Sequence, residues 1–261
     1  MQPGTLLAGK RGLVMGVAND KSIAWGIAEA AAKQGAKIAF SYQMEGFGKR
    51  LAPLAESIGS SIMIECDVVK KGAVERCFAE LATHWPKIDF VIHALAFSDK
   101  NELKGAYMDT SRQNFKNTMM VSAYSFTEVA RATRDMMPDG GALVTLSFLG
   151  AQRSTPNYNV MGVAKAALET SVKYLSVDLG DQNVRVNAIS AGPMRTLAGA
   201  AIANARDVFK YTSENSSLKR NVNLEELGNS ALYLVSDLSS AITGEIHYVD
   251  CGFNIVGMPK S

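Results

Sequence analysis

Short apolar runs rich in β-branched residues alternate with longer helical stretches along this whole 261-residue chain. That alternation constrains the fold more than any other feature. Strand-like runs fall at 11–17 (RGLVMGV), 37–42 (KIAFSY), 61–66 (SIMIEC), 89–94 (DFVIHA), 141–146 (GALVTL), 184–189 (VRVNAI) and 245–249 (EIHYV). Helical stretches lie between them at 22–34, 49–58, 73–85, 110–136 (one long helix or two joined), 159–179 and 224–236. A strand–helix–strand rhythm with fully apolar strands predicts an α/β fold: a Rossmann-like, doubly wound parallel sheet with helices on both faces. No linker or composition break divides the chain, so it reads as a single domain, 1–261. The stretch 194–218 is rich in Ala, Asn and Ser, lacks a strong apolar period, and reads as an irregular, mobile lid over the substrate.

Composition narrows the class. Hydrophobic residues make up 47% and charged residues 20%, which is ordinary globular composition. The net charge of +2 gives no reason to expect a nucleic-acid partner. No apolar run reaches the roughly 18–20 residues of a membrane helix, and no leader pattern opens the chain, so a soluble cytoplasmic protein is expected. Cys66, Cys77 and Cys251 are scattered without a C-x-x-C spacing, which favours neither a disulfide framework nor a metal site.

A doubly wound sheet binds ligands at the carboxyl ends of its strands. The first strand-to-helix turn runs from Gly16 to Gly26 and lacks G-x-G-x-x-G. Ser22 at the helix start reads either as a cap for free backbone N–H groups or as a hydroxyl for a pyrophosphate. Gln43 follows the second strand, where a dinucleotide fold often has an acid for the ribose or an Arg for a 2′-phosphate. A neutral side chain there leans towards NADH over NADPH, with Lys49 and Arg50 read as a solvated helix face. Asp67 before Val68 reads either as an acceptor for an adenine amino group or as a helix cap. His93 in an apolar run reads as a core histidine rather than a catalyst.

The segment from Phe148 to Lys165 carries the most chemistry. Tyr158 and Lys165 lie seven residues apart, about two turns, and so share one helix face. A nearby cation such as Lys165 is expected to stabilise the phenolate and make Tyr158 a proton donor at neutral pH. The bland alternative is an aromatic residue and a lysine on a partly exposed helix.

These residues together resemble the bacterial enoyl-acyl-carrier-protein reductases of the FabI type, divergent members of the short-chain dehydrogenase/reductase superfamily. The resemblance covers nearly the whole chain. Its most specific runs are Pro156-Asn-Tyr158-Asn-Val-Met-Gly162 leading to Ala164-Lys165, and Arg185-Val-Asn187-Ala-Ile-Ser-Ala-Gly-Pro193. Gly16…Ser22-Ile23-Ala24, Tyr42-Gln43, Cys66-Asp67-Val68, Tyr124-Ser125-Phe126 and Asp250-Cys251-Gly252-Phe253 extend it. Ordinary members of the superfamily have Tyr-x3-Lys, which would put Lys at Gly162.

The resemblance implies reduction of a trans-2-enoyl thioester on acyl carrier protein by NADH, with Tyr158 binding the enolate oxygen and Lys165 holding the nicotinamide ribose. It implies a cofactor site of Gly16, Ser22, Ile23, Gln43, Asp67, Val68, Leu95, Lys165, Met194, Arg195, Thr196, Leu197 and Ala198. It implies Ser98, Phe148, Tyr158, Met161 and Ile202 beside the acyl chain, and a homotetramer. Arg206, Lys210, Lys219 and Arg220 flank the lid and read either as a basic docking patch for the acidic carrier protein or as scattered solvated charges. Two departures stand out. Phe148 replaces a tyrosine that the family usually carries, and Ala205 stands where many relatives have a bulky aromatic. The competing readings are a ketone or alcohol reductase of the wider superfamily, and a low-activity paralogue disabled at Phe148.

Overall fold

The computed structural model describes residues 4–200 and 205–258. Seven parallel strands form one sheet in the order β3-β2-β1-β4-β5-β6-β7. They are β1 (Arg11–Met15), β2 (Lys37–Tyr42), β3 (Met63–Glu65), β4 (Phe90–His93), β5 (Gly141–Ser147), β6 (Val184–Ala191) and β7 (Ile246–Val249). The strand order reverses between β1 and β4, and the crevice for a ligand opens at that point. Every strand expected from the sequence is present with its ends within two residues: β1, β3, β4 and β7 are shorter than expected, β5 and β6 longer.

The helices are α1 (Ile23–Lys33), α2 (Glu45–Ser57), α3 (Ala73–His84), α4 (Arg112–Met119), α5 (Ser125–Thr133), α6 (Asn159–Asp178), α7 (Leu197–Ala200), α8 (Ala205–Asn215) and α9 (Leu224–Val235). A five-residue π turn, Met120–Tyr124, joins α4 to α5. The 110–136 stretch is therefore one helical run with a bulge rather than two separate helices. The bulge has a job: Ser122 Oγ accepts from Phe97 N at 3.0 Å and donates to Phe97 O at 3.1 Å. It thereby pins the backbone that leaves β4.

Strand side chains alternate between two apolar cores, one on each face of the sheet. Leu13 and Met15 face a core shared with Phe78, Phe126 and Leu168. Val14 faces the other, with Ile27, Phe40 and Leu227. Trp25 stacks on Phe40 in the second core, at 6.3 Å between ring centroids. The ion pairs, such as Lys49–Glu45 at 2.7 Å, lie on exposed side chains and contribute about 0–1 kcal/mol each. Apolar burial, at about 1.5–3 kcal/mol per large side chain, decides the fold.

The segment 194–218 departs from its expected irregularity. It carries α7 and α8, and α8 is docked: Tyr211 meets Phe253 edge-on at 6.1 Å, and Asn221 Nδ2 donates to Phe209 O at 2.9 Å. Its apolar contacts are to the C-terminal turn, far away in sequence, so the local pattern did not announce them.

Gly26, which the sequence places at the far flank of the first turn, lies within α1 and serves helix packing. A Cβ on Gly228 of α9 would lie 2.9 Å from both Gly26 O and Ala30 Cβ of α1. The two helices touch backbone to backbone there. Gly228→Val is expected to cost about 1–3 kcal/mol by forcing them apart, read as a lower midpoint in urea unfolding.

Candidate active site

The carboxyl ends of β1 and β4 meet at Gly16. Its φ is +99°, and a Cβ there would lie 2.2 Å from Ala94 O. Only glycine permits this approach. Ser22 takes the N-cap position of α1 in extended conformation, but its hydroxyl caps no helix amide. Its Oγ accepts instead from Ala18 N at 3.0 Å and Asn19 N at 3.1 Å, folding the turn back on itself. The capping expectation is thus corrected. The start of α1, with Ile23 in its first turn, has no side-chain cap, and its N–H dipoles are left for an anion.

Further along the rim, Gln43 Nε2 donates to Asp67 Oδ1 at 3.4 Å. Asp67 Oδ1 also accepts from Val69 N at 3.3 Å, so it shapes its own turn. It does not cap α3, whose N-cap is Gly72. Val68 is buried beneath, and Leu95 packs against the same core. Lys49 is paired with Glu45, and the Arg50 guanidinium lies 6.0 Å from the centre of the Phe47 ring. Both cations are engaged on their own helix, as the solvated-face reading expected. A close backbone, an uncapped helix start and a polar rim pair fit a dinucleotide.

The last residues of β5 receive the catalytic face of α6. Lys165 Nζ donates to Leu146 O at 2.6 Å. Ser147 Oγ donates to Glu169 Oε1 at 2.6 Å. The Phe148 ring stands edge-on to Tyr158, with centroids 5.1 Å apart. Tyr158 and Lys165 are 7% and 6% exposed. Tyr158 sits just ahead of α6, between Asn157 (φ 59°) and Asn159 (φ 37°), both left-handed. Asparagine tolerates that conformation better than most residues. Gly150 completes the seat, since a Cβ there would lie 2.4 Å from Tyr158 Cδ1.

Burial sets the protonation states. It pushes the Lys165 ammonium down to about 8, against the opposing pull of Glu169. It pushes the Tyr158 phenol up beyond the ordinary tyrosine range, with Glu169 adding to the rise. The expectation that Lys165 lowers the phenol is therefore corrected. Desolvation outweighs any such effect, and Tyr158 presents a neutral O–H.

On the acyl side, Tyr158 and Met161 form a small apolar cluster with Leu103 and Val160, and Phe148 packs against it. Sequence reasoning missed Leu103, which lies in an irregular loop with no period to mark it. Ser98 is held in a polar knot: its Oγ donates to Asn114 Oδ1 at 3.3 Å and accepts from Thr118 Oγ1 at 3.0 Å. Ile202 lies outside the described residues. His93 is a core histidine, as expected. It is fully buried between Thr145 Oγ1 (2.9 Å) and Ser125 Oγ (2.8 Å), and burial holds it neutral at about 3.

After β6 the chain passes over the same end of the sheet. Met194 packs on the α1-side core, and the Arg195 guanidinium lies 4.5 Å from the centre of the Phe209 ring on α8. Thr196 Oγ1 accepts from Gly199 N at 2.9 Å, fastening the first turn of α7. Leu197 is half exposed, and Ala198 follows it in α7. Of the four expected basic residues, three have partners. Arg220 forms a bidentate pair with Glu226, Lys210 meets Glu214 at 3.8 Å, and Lys219 Nζ donates to Glu214 O. Arg206 is exposed. The residue that sequence reasoning missed outright is Glu169. Its only signal was an acid at an apolar position of α6, one turn beyond Lys165.

A doubly wound parallel sheet with a buried tyrosine–lysine pair at the end of its fifth strand defines a short-chain dehydrogenase/reductase. Residues 16–254 match the family model described as Enoyl-(Acyl carrier protein) reductase, and the chain belongs to that family. The NADH-type enoyl-[acyl-carrier-protein] reductase 2 of Rhizobium meliloti is 56% identical over 97% of this chain and 95% of its own length. A crystal structure of FabI from Candidatus Liberibacter asiaticus superposes with a TM-score of 0.97 at 57% identity, covering 98% of this chain and all of the other. The reductase of Anaplasma phagocytophilum, solved in complex with NAD, superposes at 0.96 with 53% identity over the full length of both chains.

Selective labelling of lysine and tyrosine for NMR is expected to show Lys165 losing its proton near pH 8, with Tyr158 still a phenol there.

Proposed function

We propose that this chain catalyses the NADH-dependent reduction of trans-2-enoyl thioesters carried on acyl carrier protein, the reducing step of fatty-acid elongation. The observation that carries the reading is the pairing of Tyr158 with Lys165 across seven residues, both buried beside an apolar cluster at the end of β5. Tyr-x6-Lys also weighs against a ketone or alcohol reductase, where the superfamily uses Tyr-x3-Lys.

The α1 start, Gly16, Ser22 and Ile23 hold the pyrophosphate, and Gln43, Asp67 and Val68 hold the adenosine. Leu95, Lys165 and the segment Met194 to Ala198 hold the nicotinamide half. NADH, when bound, supplies a hydride for C3 of the enoyl chain. Tyr158 donates its O–H to the thioester oxygen, where negative charge develops, in an oxyanion-hole role. A phenol pushed above its ordinary range remains a hydrogen-bond donor while that charge builds. Lys165 presents an ammonium to the ribose hydroxyls at neutral pH. Phe148, Met161 and Leu103 line the acyl chain and exclude water. Phe148 retains the ring that packs on Tyr158 and drops only a hydroxyl, which favours an altered chain preference over loss of function.

The segment 194–218 acts as the lid of a single catalytic domain spanning 1–261. Exposed Arg206 is the basic residue it offers to the acidic carrier protein. The enzyme works in the bacterial cytoplasm, in keeping with a chain that has no helix long and apolar enough to cross a membrane among the described residues. It assembles as a homotetramer. Val163, Tyr174 and Val177 form an exposed apolar stripe on α6, and β7 is a part-exposed edge strand.

Loss of nicotinamide absorbance with a trans-2-enoyl thioester tests the activity. Turnover with NADH, and a fall of about 10²-fold or more in Tyr158→Phe, is the expected result. No turnover in the wild-type chain, restored by Phe148→Tyr, would instead support the disabled-paralogue reading. Sedimentation is expected to give a four-protomer mass that Tyr174→Lys with Val177→Lys lowers; a monomeric wild type overturns the assembly.

A further inference from the structure

Glu169 has no part in the mechanism above, yet its position is unusual. It is 7% exposed on α6, one helical turn beyond Lys165. Burying a carboxylate is expensive unless hydrogen bonds and an opposite charge compensate. Ser147 Oγ donates to one oxygen at 2.6 Å, and Gln152 Nε2 reaches the other at 3.4 Å. Both donors are neutral. The opposite charge that Glu169 feels is Lys165, whose ammonium it favours. The order Lys then Glu at i and i+4 is the less favourable one for an exposed helical pair. Helix stabilisation therefore does not account for it.

We infer that Glu169 is a positioning residue for the reductase: its carboxylate, tethered by Ser147, is the counter-charge that keeps Lys165 an ammonium where the cofactor ribose is held. The inference rests on the reading of the preceding subsection. Adjacent residues of β5 divide the work. Leu146 takes the lysine through its carbonyl, and Ser147 takes the glutamate through its hydroxyl. The two charges are thus docked side by side without neutralising each other by contact. Lys165 keeps N–H donors for a ligand, and Glu169 supplies the field that keeps them protonated against burial.

The other ionisable groups around α6 leave that role to Glu169. β4 brings His93, which burial holds neutral. β6 brings Arg185, which is spent on Leu234 O, Ser236 O and Ser239. In the π turn, Tyr124 is exposed and accepts from Arg131 of α5 at 3.5 Å. Glu128 of α5 answers to Glu75 and Arg131, and Arg112 and Lys116 of α4 are exposed. Burial raises the Tyr248 phenol of β7, and Glu169 adds to the rise.

The test is the pH dependence of NADH binding, read from nicotinamide fluorescence, in wild type and Glu169→Gln. Glutamine keeps the shape and removes the charge. The wild type is expected to lose affinity as pH rises through about 8. In the Gln form the loss should begin about one pH unit lower. Its Kd at pH 8 should then be about fivefold weaker than wild type, with the deficit shrinking towards pH 6. A deficit constant across pH, or none, overturns the inference, because a purely structural role does not move with Lys165. Should the Gln form fail to fold, Ser147→Ala keeps the charge and frees it from its tether. A raised Kd for NADH in that form is then required, and an unchanged Kd overturns the inference. A wild type that binds no NADH overturns the proposed function as well. Wild-type binding and turnover with a pH-independent Gln form overturn only the role of Glu169.

Discussion

Lys165 carries its ammonium into the interior and donates to the Leu146 carbonyl at 2.6 Å, and the geometry of the catalytic end follows from that bond. A buried cation is tolerated only with a fixed acceptor. The acceptor here is main chain at the end of β5, a strand paired along its length with β6 and over Ala142–Thr145 with β4. That bond fixes the face that α6 turns to the sheet. Tyr158 then falls against Phe148, and Glu169 against Ser147. The last two residues of β5 and Phe148 just after it thus meet Lys165, Glu169 and Tyr158.

The same logic of rigid scaffold and close approach governs the cofactor side. Gly16 lets β1 turn within contact of Ala94, and the pinned Ser22 leaves the start of α1 open. Ser122 in the π turn holds the strand exit at Phe97 from the opposite side. Left-handed Gly16, the two left-handed asparagines that flank Tyr158 and the helical bulge all lie at the carboxyl end of the sheet. The regular packing behind them, two apolar cores on a parallel sheet, supplies the stability that holds them there.

Much of this was legible in the sequence. The strands are continuous apolar runs because both faces of a parallel sheet are covered, so the period alone located all seven. Tyr158 and Lys165 were legible because a helix brings residues seven apart onto one face. His93 was legible as core from its apolar flanks. The docking of α8 was not, because its apolar partners lie in the C-terminal turn. Nor was the knot of Ser98 with Asn114 and Thr118, which joins a loop to a helix across a chain reversal.

The sequence by itself determined the architecture, the family and the identity of the paired tyrosine and lysine, because periodicity and motif spacing are local properties of the chain. Tertiary structure alone decided their chemical state. The phenol rises and the ammonium falls because both are desolvated, and desolvation is set by packing from β5, the 149–151 turn and the Leu103 loop. It also decided where Glu169 lies, since only folding places that carboxylate beside Ser147 and within the field of Lys165.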